Sequence, residues 1–204
     1  YNPNMTTDLN VASIDKSGDF YSILNNEGDA SLRPISYVNY VNILRFCNWL
    51  SNGQPVGIQN EKTTENGSYD LSKIKRHSDY VKRNKINPNT MRPPRYFIPT
   101  EDEWYKAAFY NPKLDKYYLY ATQSDELPGN KIGGEKNMAN YIYGVNYCLT
   151  QSPIYDPNKN YLTNVGSFYN SQSYYGTYDQ NGNGNEFNEK NGTILHQRGG
   201  FFAS

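Results

Sequence analysis

The sequence predicts a loop-rich α+β fold with two helices and short strands. Three observations predict it. The 204 residues are long enough to bury a core. Aromatic residues reach 15%, with 21 tyrosines, while apolar residues make up only 36%. The mean hydropathy is −0.88, and 28 asparagines are spread along the chain. Such a chain folds around aromatic side chains and leaves much of its backbone in polar loops.

The first helix is predicted over residues 36–51. Ser36 is a candidate N-cap, because its hydroxyl can accept a hydrogen bond from a free backbone amide. Gly53 and Pro55 then end the helix. Apolar side chains recur at helical spacing at Tyr40, Ile43, Leu44, Cys47 and Leu50.

The second helix is predicted to begin after Thr100. Thr100 and Glu103 have the spacing of a capping box, in which each side chain bonds the other residue's amide. The Asn111–Pro112 pair ends this helix. We expect the two helices to share one core, in which Trp49 and Trp104 are largely buried.

The remaining segments lack a regular period. Residues 1–35 are predicted to be loops with one short strand, and residues 54–95 to be a long loop or insertion. After the second helix, short aromatic segments alternate with Gly, Pro and Asn. We predict a single domain over residues 1–204.

The charge balance excludes several classes of protein. Twenty basic and twenty acidic residues give no net charge, which argues against a general nucleic-acid or membrane-surface binder. No apolar run is long enough for membrane insertion. The stretch 73–95 holds eight basic residues and one acidic residue, Asp79. A solvated loop is favoured there, and contact with a phosphate backbone or an acidic glycan is the alternative.

Two cysteines, Cys47 and Cys148, permit one disulfide at most. Their spacing fits no redox or zinc motif, and only His77 and His196 are present to join them. We expect two unpaired structural thiols.

Four segments, in order, resemble the formylglycine-generating enzyme family, also called the sulfatase-modifying factor domain. They are Ile-Ser-Tyr at 35–37 leading to Leu-Arg-Phe-Cys-Asn-Trp-Leu-Ser at 44–51, the stretch 97–108 from Phe-Ile-Pro-Thr to Tyr-Lys-Ala-Ala, the stretch 175–187 from Tyr-Gly-Thr-Tyr-Asp to Asn-Glu-Phe, and Arg-Gly-Gly at 198–200. The resemblance implies a C-type lectin-like fold with twisted antiparallel strands.

The resemblance also locates the family's chemistry. Catalytic members bind copper through a cysteine pair just after Arg-Gly-Gly, and here Ser204 stands at the first of those positions. A serine oxygen is too hard and too weakly acidic to replace a copper-binding thiolate. The iron-dependent relatives need three histidines, and this chain has two. We therefore expect a non-catalytic domain. The alternative is an oxidoreductase of the formylglycine-generating type whose metal ligands lie in a tail beyond Ser204.

The segment beginning at Asp179 nearly matches a calcium loop of the form D-x-N-x-N-G. An EF-hand is rejected, because Lys190 occupies the position of the twelfth-residue glutamate. The family resemblance implies a different structural calcium site. Its ligands would be Asp179, Gly182, Gly184 and Glu186, with both glycines turning their carbonyls inward at positive φ.

A second calcium site implied by the resemblance would use Asn140, the carbonyl of Tyr141 and Asp156. For either site the alternative is a glycine–asparagine turn held by hydrogen bonds from side chains to the backbone.

The predicted function is a binding or structural module. It is expected at a cell surface, in a secreted protein or on a virion, with a protein or a glycan as its partner and with assembly into larger complexes as a further role. Abundant Tyr, Asn, Gly and Ser favour adaptable contacts.

Overall fold

The computed structural model describes residues 1–75, 80–190 and 193–204. Regular structure is sparse in these ranges, as the composition predicts. Three α-helices are present in the described residues, and α1 and β1–β2 lie within the region predicted as loops with one strand. The elements are α1 (Asn4–Thr7), β1 (Ile14–Ser17), β2 (Phe20–Ile23), α2 (Tyr40–Ser51), a 3-10 turn (Leu71–Lys73), α3 (Glu101–Phe109), β3 (Tyr110–Asn111), β4 (Lys116–Tyr117), β5 (Glu186–Lys190) and β6 (Thr193–Arg198).

The described strands form two-stranded sheets. β1 pairs antiparallel with β2, with Ile14 opposite Ile23, and β3 pairs antiparallel with β4. β5 pairs with β6. The β1–β2 hairpin was not predicted, because its strands lack alternating burial: all four β2 residues are exposed. No helix in the described part of the chain is both long and apolar enough to span a bilayer.

The chain divides into two compact units. The first comprises residues 1–37, 102–186 and 197–204, and the second comprises residues 38–101 and 187–196. The second unit has a core of buried side chains that includes Leu44, Tyr69 and Ile98. The first unit has separate clusters, one around Trp104 and one around Tyr161.

Helix α2 begins later than predicted. Ser36 is not its cap. Asn39 occupies that position with an extended backbone, and its side-chain oxygen accepts a hydrogen bond from the Asn42 amide at 2.9 Å. Asparagine is as good a cap as serine, and at Asn39 it lies directly before the apolar face. Leu44 and Cys47 are buried on that face, as the spacing predicts.

The two tryptophans differ from the expectation of one shared core. Trp104 on α3 is 5% exposed, which confirms its predicted burial. Trp49 is only half-buried: it stacks on the exposed ring of Phe46 and donates its indole N–H to the Pro55 carbonyl. The two helices therefore contribute to separate clusters of buried side chains, around Leu44 and around Trp104.

The predicted insertion at 54–95 is part of the second unit's core. Its Tyr69 has no exposed surface, and Leu71 and Val81 are also buried. Asn48 of α2 fixes the segment, because its amide donates to the Thr64 and Tyr69 carbonyls and accepts the Tyr69 N–H. The predicted basic run lies partly outside the described residues, which do not include His77 or Asp79.

Candidate functional site

The predicted calcium loop runs from Asp179 into the start of β5 at Glu186. Asp179 has a left-handed backbone conformation, at φ 61°. The Gly166 amide donates to Oδ2 of Asp179 at 2.8 Å, whereas Oδ1 is buried without a hydrogen-bond partner among the described residues. Burial raises the pKa of Asp179, and the Gly166 bond offsets part of that effect.

Glu186 is the second carboxylate of this loop. Its Oε2 accepts a hydrogen bond from the Trp104 indole N–H, a neutral donor. Burial is the main cause that raises the pKa of Glu186 to about 7, and repulsion from the Asp179 carboxylate adds to it. The fold thus brings the carboxylates of Asp179 and Glu186 close enough to repel each other. No cationic side chain of the described residues contributes to the pKa of either carboxylate.

The two glycines of the loop have different roles. Gly182 has φ 76°, and a Cβ there would lie 2.0 Å from the Asn140 carbonyl oxygen, so no other residue fits. Gly184 is not in the left-handed region, and a Cβ there would meet only Pro34 at 4.0 Å. The expectation of positive φ at both glycines is therefore correct for Gly182 and wrong for Gly184.

Sequence analysis did not predict the role of Asn183, the asparagine that joins the loop to Asn140. Asn140 and Asn183 are each 1% exposed, and the Asn140 amide donates to Oδ1 of Asn183 at 3.0 Å. The same oxygen accepts the Thr163 N–H, and the Asn183 amide donates to the Thr163 carbonyl. The Asn-Gly-Asn repeat was a signal for such side-chain-to-backbone bonds, but not for their distant partners.

The three residues of the second predicted calcium site make hydrogen bonds to different partners. The Asn140 amide also donates to the Tyr161 carbonyl, and the Tyr141 carbonyl accepts the Asn130 amide at 3.2 Å. Asp156 accepts the Asn158 N–H and lines a different cleft. This second site stays a prediction.

A small cavity adjoins the first site. Asp179, Gln180 and Asn181 line it, and its volume is about 10 Å³, enough for one water molecule. The Asn181 side-chain nitrogen is also buried without a hydrogen-bond partner in the described part of the chain. The unsatisfied Oδ1 of Asp179 beside a second carboxylate fits an oxygen-liganded cation and does not suit a soft metal, whereas the Asn181 amide nitrogen is a donor and cannot be a ligand.

The two thiols are not part of a group of metal-ligating side chains in the part of the chain that the structure describes. Cys47 and Cys148 are free and buried, as expected. Burial raises the pKa of Cys47 to about 11 and that of Cys148 to about 12, so both are protonated at neutral pH. Among the described residues, no group of three or more His, Cys, Asp or Glu side chains is placed to hold a metal.

Ser204, at the position predicted to match a catalytic cysteine, closes a turn. Its hydroxyl donates to the Phe201 carbonyl at 2.7 Å and accepts the Phe201 N–H at 3.1 Å. The residues present therefore do not fit copper, since they offer an alcohol and two protonated thiols in place of a thiolate pair.

The comparisons with known proteins address the family. Residues 10–193 match the model of the sulfatase-modifying factor enzyme 1-like domain. No curated protein and no solved structure matches the chain. The matched range includes both helices of the predicted motif, the buried Trp104 and the whole Asp179–Glu186 loop. With most of its length matched, the chain belongs to the sulfatase-modifying factor enzyme 1-like domain family.

Proposed function

We propose that this domain is a non-catalytic binding or structural module on a C-type lectin-like scaffold, displayed at a cell surface, in a secreted protein or on a virion. The residues present carry the proposal, since Ser204 offers an alcohol at the position that the resemblance gives to the first copper ligand and no accessible thiol replaces it among the described residues. Cys47 and Cys148 are buried, and their raised pKa values keep them as thiols at neutral pH. Copper-dependent oxidation of a substrate cysteine needs an accessible thiolate pair, which these residues do not supply.

The test combines thiol labelling with an activity assay. Native chain is treated with a maleimide, and Ser204→Cys serves as the accessible control because Ser204 is exposed. The native thiols should resist labelling while the variant is labelled rapidly. Native chain is then incubated with Cu(I), oxygen and a cysteine-containing peptide, and aldehyde is detected with a hydrazide probe. Aldehyde formation would overturn the proposal and support the oxidoreductase alternative.

Exposed aromatic side chains support the binding role. Tyr105 on α3 stacks on Tyr117 of β4, and both rings are nearly half-exposed. Tyr110 packs on Tyr117, and the Lys106 ammonium lies 5.6 Å from the centre of the Tyr110 ring. Rigid aromatic rings beside lysines give large contact areas at low entropic cost, which suits a protein or glycan partner.

We also propose that Asp179 and Glu186, with the carbonyls of Gly182 and Gly184, hold a structural Ca²⁺. Support comes from the unsatisfied Oδ1 of Asp179 and from the mutual repulsion of two carboxylates at a buried site. A divalent cation would relieve both costs, and hard oxygen ligands suit calcium. The ion would hold the loop and would not take part in a reaction.

A further inference from the structure

The two compact units carry opposite net charges, although the whole chain is neutral. The second unit, residues 38–101 and 187–196, holds eleven basic and six acidic residues, a net charge of +5. The first unit holds nine basic and fourteen acidic residues, a net charge of −5. The neutral total argues against a membrane-surface binder only as an average over the chain, and that argument does not apply to the second unit.

One loop of the second unit, residues 80–96, carries cations that have no counterion within it. No acidic residue occurs between positions 80 and 100. Arg83 pairs with Glu189. The other four basic residues of this basic loop are exposed and form no ion pair with any described residue: Lys82, Lys85, Arg92 and Arg95. Four uncompensated charges of one sign favour an anionic partner.

A buried asparagine fixes the far end of the basic loop. Asn87 has no exposed surface, and its side-chain amide donates to the Ser51 carbonyl at 3.1 Å and to Oδ1 of Asn52 at 2.8 Å. The Asn87 N–H donates to the Arg92 carbonyl at 2.9 Å, which closes the turn. The loop is therefore held on the end of α2, and Arg92 returns beside Asn87.

Ser68 joins the two arms of the same loop. Its carbonyl accepts the Asn84 N–H at 2.7 Å, and its hydroxyl donates to the Tyr96 carbonyl at 2.6 Å. Lys85 and Arg95 are the chain neighbours of those two residues, so both cations lie near this junction. A surface that is ordered before binding loses less conformational entropy when it binds.

A second loop, residues 54–63, is attached to the same base. The Asn52 amide donates to the Thr63 carbonyl at 2.9 Å. The Asn89 amide of the basic loop donates to the Glu61 carbonyl at 2.8 Å, so the two loops are bonded directly to each other. Lys62 follows Glu61 and balances its charge, which leaves the surface of the two loops positive.

Aliphatic side chains protrude from both loops. Val56 is fully exposed, Ile58 is 80% exposed and Met91 is 76% exposed. Side chains this exposed stand out from the surface and do not line a groove, so a folded partner would need a matching cavity for each. A phosphate backbone or an acidic glycan would use the cations and leave the aliphatic groups in water. A lipid surface accepts both, because its headgroups are charged and its interior is soft and apolar.

We propose that these two loops attach the domain to a lipid surface that contains anionic headgroups. The four cations contact the headgroups, and Val56, Ile58 and Met91 enter the boundary between the headgroups and the acyl chains. The attachment is peripheral and reversible. A lipid partner goes beyond the proposed binding function, and it does not depend on the absence of catalysis.

The experiment is co-sedimentation of the whole chain with vesicles, either of phosphatidylcholine alone or with about one third phosphatidylserine. In chelator and about 0.1 M salt, affinity for the anionic vesicles should be at least about tenfold higher than for the neutral ones. Raising the salt to about 0.5 M should weaken the binding, since the salt screens the headgroup charges. Equal binding to both vesicles, no binding to either, or binding only when calcium is present overturns the proposal.

Paired charge variants locate the binding on the basic loop. Lys85→Gln with Arg95→Gln should weaken binding to the anionic vesicles about twentyfold, because each charge near the surface contributes about fivefold. Lys131→Gln with Lys136→Gln lowers the net charge equally, at exposed lysines of the first unit, and should change the affinity less than about twofold. Equal losses in the two variants would assign the binding to net charge and overturn the proposal.

Paired aliphatic variants separate a lipid surface from a free polyanion. Val56→Ser with Ile58→Ser should weaken binding about tenfold, because two aliphatic side chains no longer leave water. Val145→Ser with Ile154→Ser makes the same changes at exposed residues of the first unit and should retain the affinity. If only the charge variant loses binding, the loops recognise an anionic polymer such as an acidic glycan, and the lipid proposal is overturned. The thiol and aldehyde results, which judge the proposed function, are separate from all these outcomes.

Discussion

Strand β5 carries two glutamates in contrasting environments. Glu189 is 4% exposed, and it accepts hydrogen bonds from the Tyr69 hydroxyl at 2.9 Å and from Nε of Arg83 at 3.2 Å. Glu186, three residues earlier, accepts the neutral Trp104 indole N–H and is repelled by Asp179. Residues three apart on a strand point to opposite faces, so one sequence segment serves two environments.

The difference separates a carboxylate that the protein itself pairs, Glu189, from one that could bind a ligand, Glu186. The protein itself supplies a counterion for Glu189, the Arg83 guanidinium. That guanidinium is held in place because it also donates to the Ile98 carbonyl and lies 4.9 Å from the centre of the Phe97 ring. For the Glu186 pair, no cationic side chain of the described residues is among the causes that set the pKa of either carboxylate. Two ways to relieve this repulsion are protonation of Glu186, whose pKa is about 7, and a cation from outside.

The largest expected effect comes from removing the counterion of Glu189. Arg83→Met removes the guanidinium that pairs with a buried carboxylate, and the free energy of unfolding should fall by about 3–5 kcal/mol. Urea denaturation at neutral pH measures it. Lys116→Met is the control, because the Lys116–Asp125 pair is exposed and should contribute at most about 1 kcal/mol.

A double variant separates charge from packing in that result. Adding Glu189→Gln to Arg83→Met removes the carboxylate charge that Arg83 compensates in the native chain and should recover part of the lost stability. The ion pair does not stabilise the buried Glu189 if Arg83→Met loses no more free energy of unfolding than Lys116→Met. The same conclusion follows if the double variant is no more stable than Arg83→Met.

The calcium proposal predicts the next largest effect. Calcium at 100 times its dissociation constant should raise the free energy of unfolding by about 2.7 kcal/mol. Thermal melts in calcium and in chelator measure it. Glu186→Gln should lose most of the difference, and Glu135→Gln, at an exposed glutamate, should keep it. Equal melting temperatures in calcium and chelator for the native chain would contradict the site.

The pH dependence in chelator sharpens the same comparison. Folding raises the pKa of Glu186 from 4.5 to about 7, so between these values the folded chain binds more protons than the unfolded chain. Stability should therefore fall as pH rises through that window. Each pKa unit corresponds to about 1.4 kcal/mol, and partial exposure reduces the expected loss to about 1–2 kcal/mol.

The variant Glu186→Gln is the control for this pH effect. It cannot titrate at residue 186, so its loss of stability between pH 4.5 and 7 should be smaller than that of the native chain. Saturating calcium should also weaken the loss, because the ion favours the ionised carboxylate. An identical slope in the native chain and the variant would assign the titration to other groups.

Local patterns in the sequence predicted local features. The start of α3 after Thr100, the burial of Trp104 and the two free thiols could all be predicted from spacing and composition. Asp179 and Glu186 were predicted together by resemblance, and the fold brings them within electrostatic reach. These features depend on neighbouring residues or on a motif that covers the whole loop.

Long-range partners could not be predicted from the sequence. The Asn140–Asn183 bond joins residues 43 positions apart, and the Tyr69–Glu189 bond joins residues 120 apart. Propensity and periodicity contain no information on such pairs, because each side chain could bond many distant groups. The hairpin at 14–23 was not predicted for another reason: the side chains of β2 are exposed and those of β1 show no alternation of burial, so no hydrophobic pattern marks it.

The smallest expected effect tests a buried polar residue between the two glutamates. Asn188 has no exposed surface, and neither its side-chain nitrogen nor its oxygen has a hydrogen-bond partner in the described ranges. An unsatisfied buried amide is destabilising, so replacing it with an apolar side chain of similar size removes that cost. Asn188→Leu should therefore raise the free energy of unfolding by about 1 kcal/mol, measured by urea denaturation.

Asn183 provides the matched control, because it is equally buried, its Oδ1 accepts from Asn140 and Thr163, and its amide nitrogen donates to the Thr163 carbonyl. Asn183→Leu leaves those partners unsatisfied and should lower stability by about 2 kcal/mol or more. The same substitution thus has opposite signs at two buried asparagines five residues apart, depending only on their hydrogen bonds. A loss of stability in Asn188→Leu as large as in Asn183→Leu would mean that the Asn188 amide is bonded in solution, and the contrast along β5 would then be limited to its glutamates.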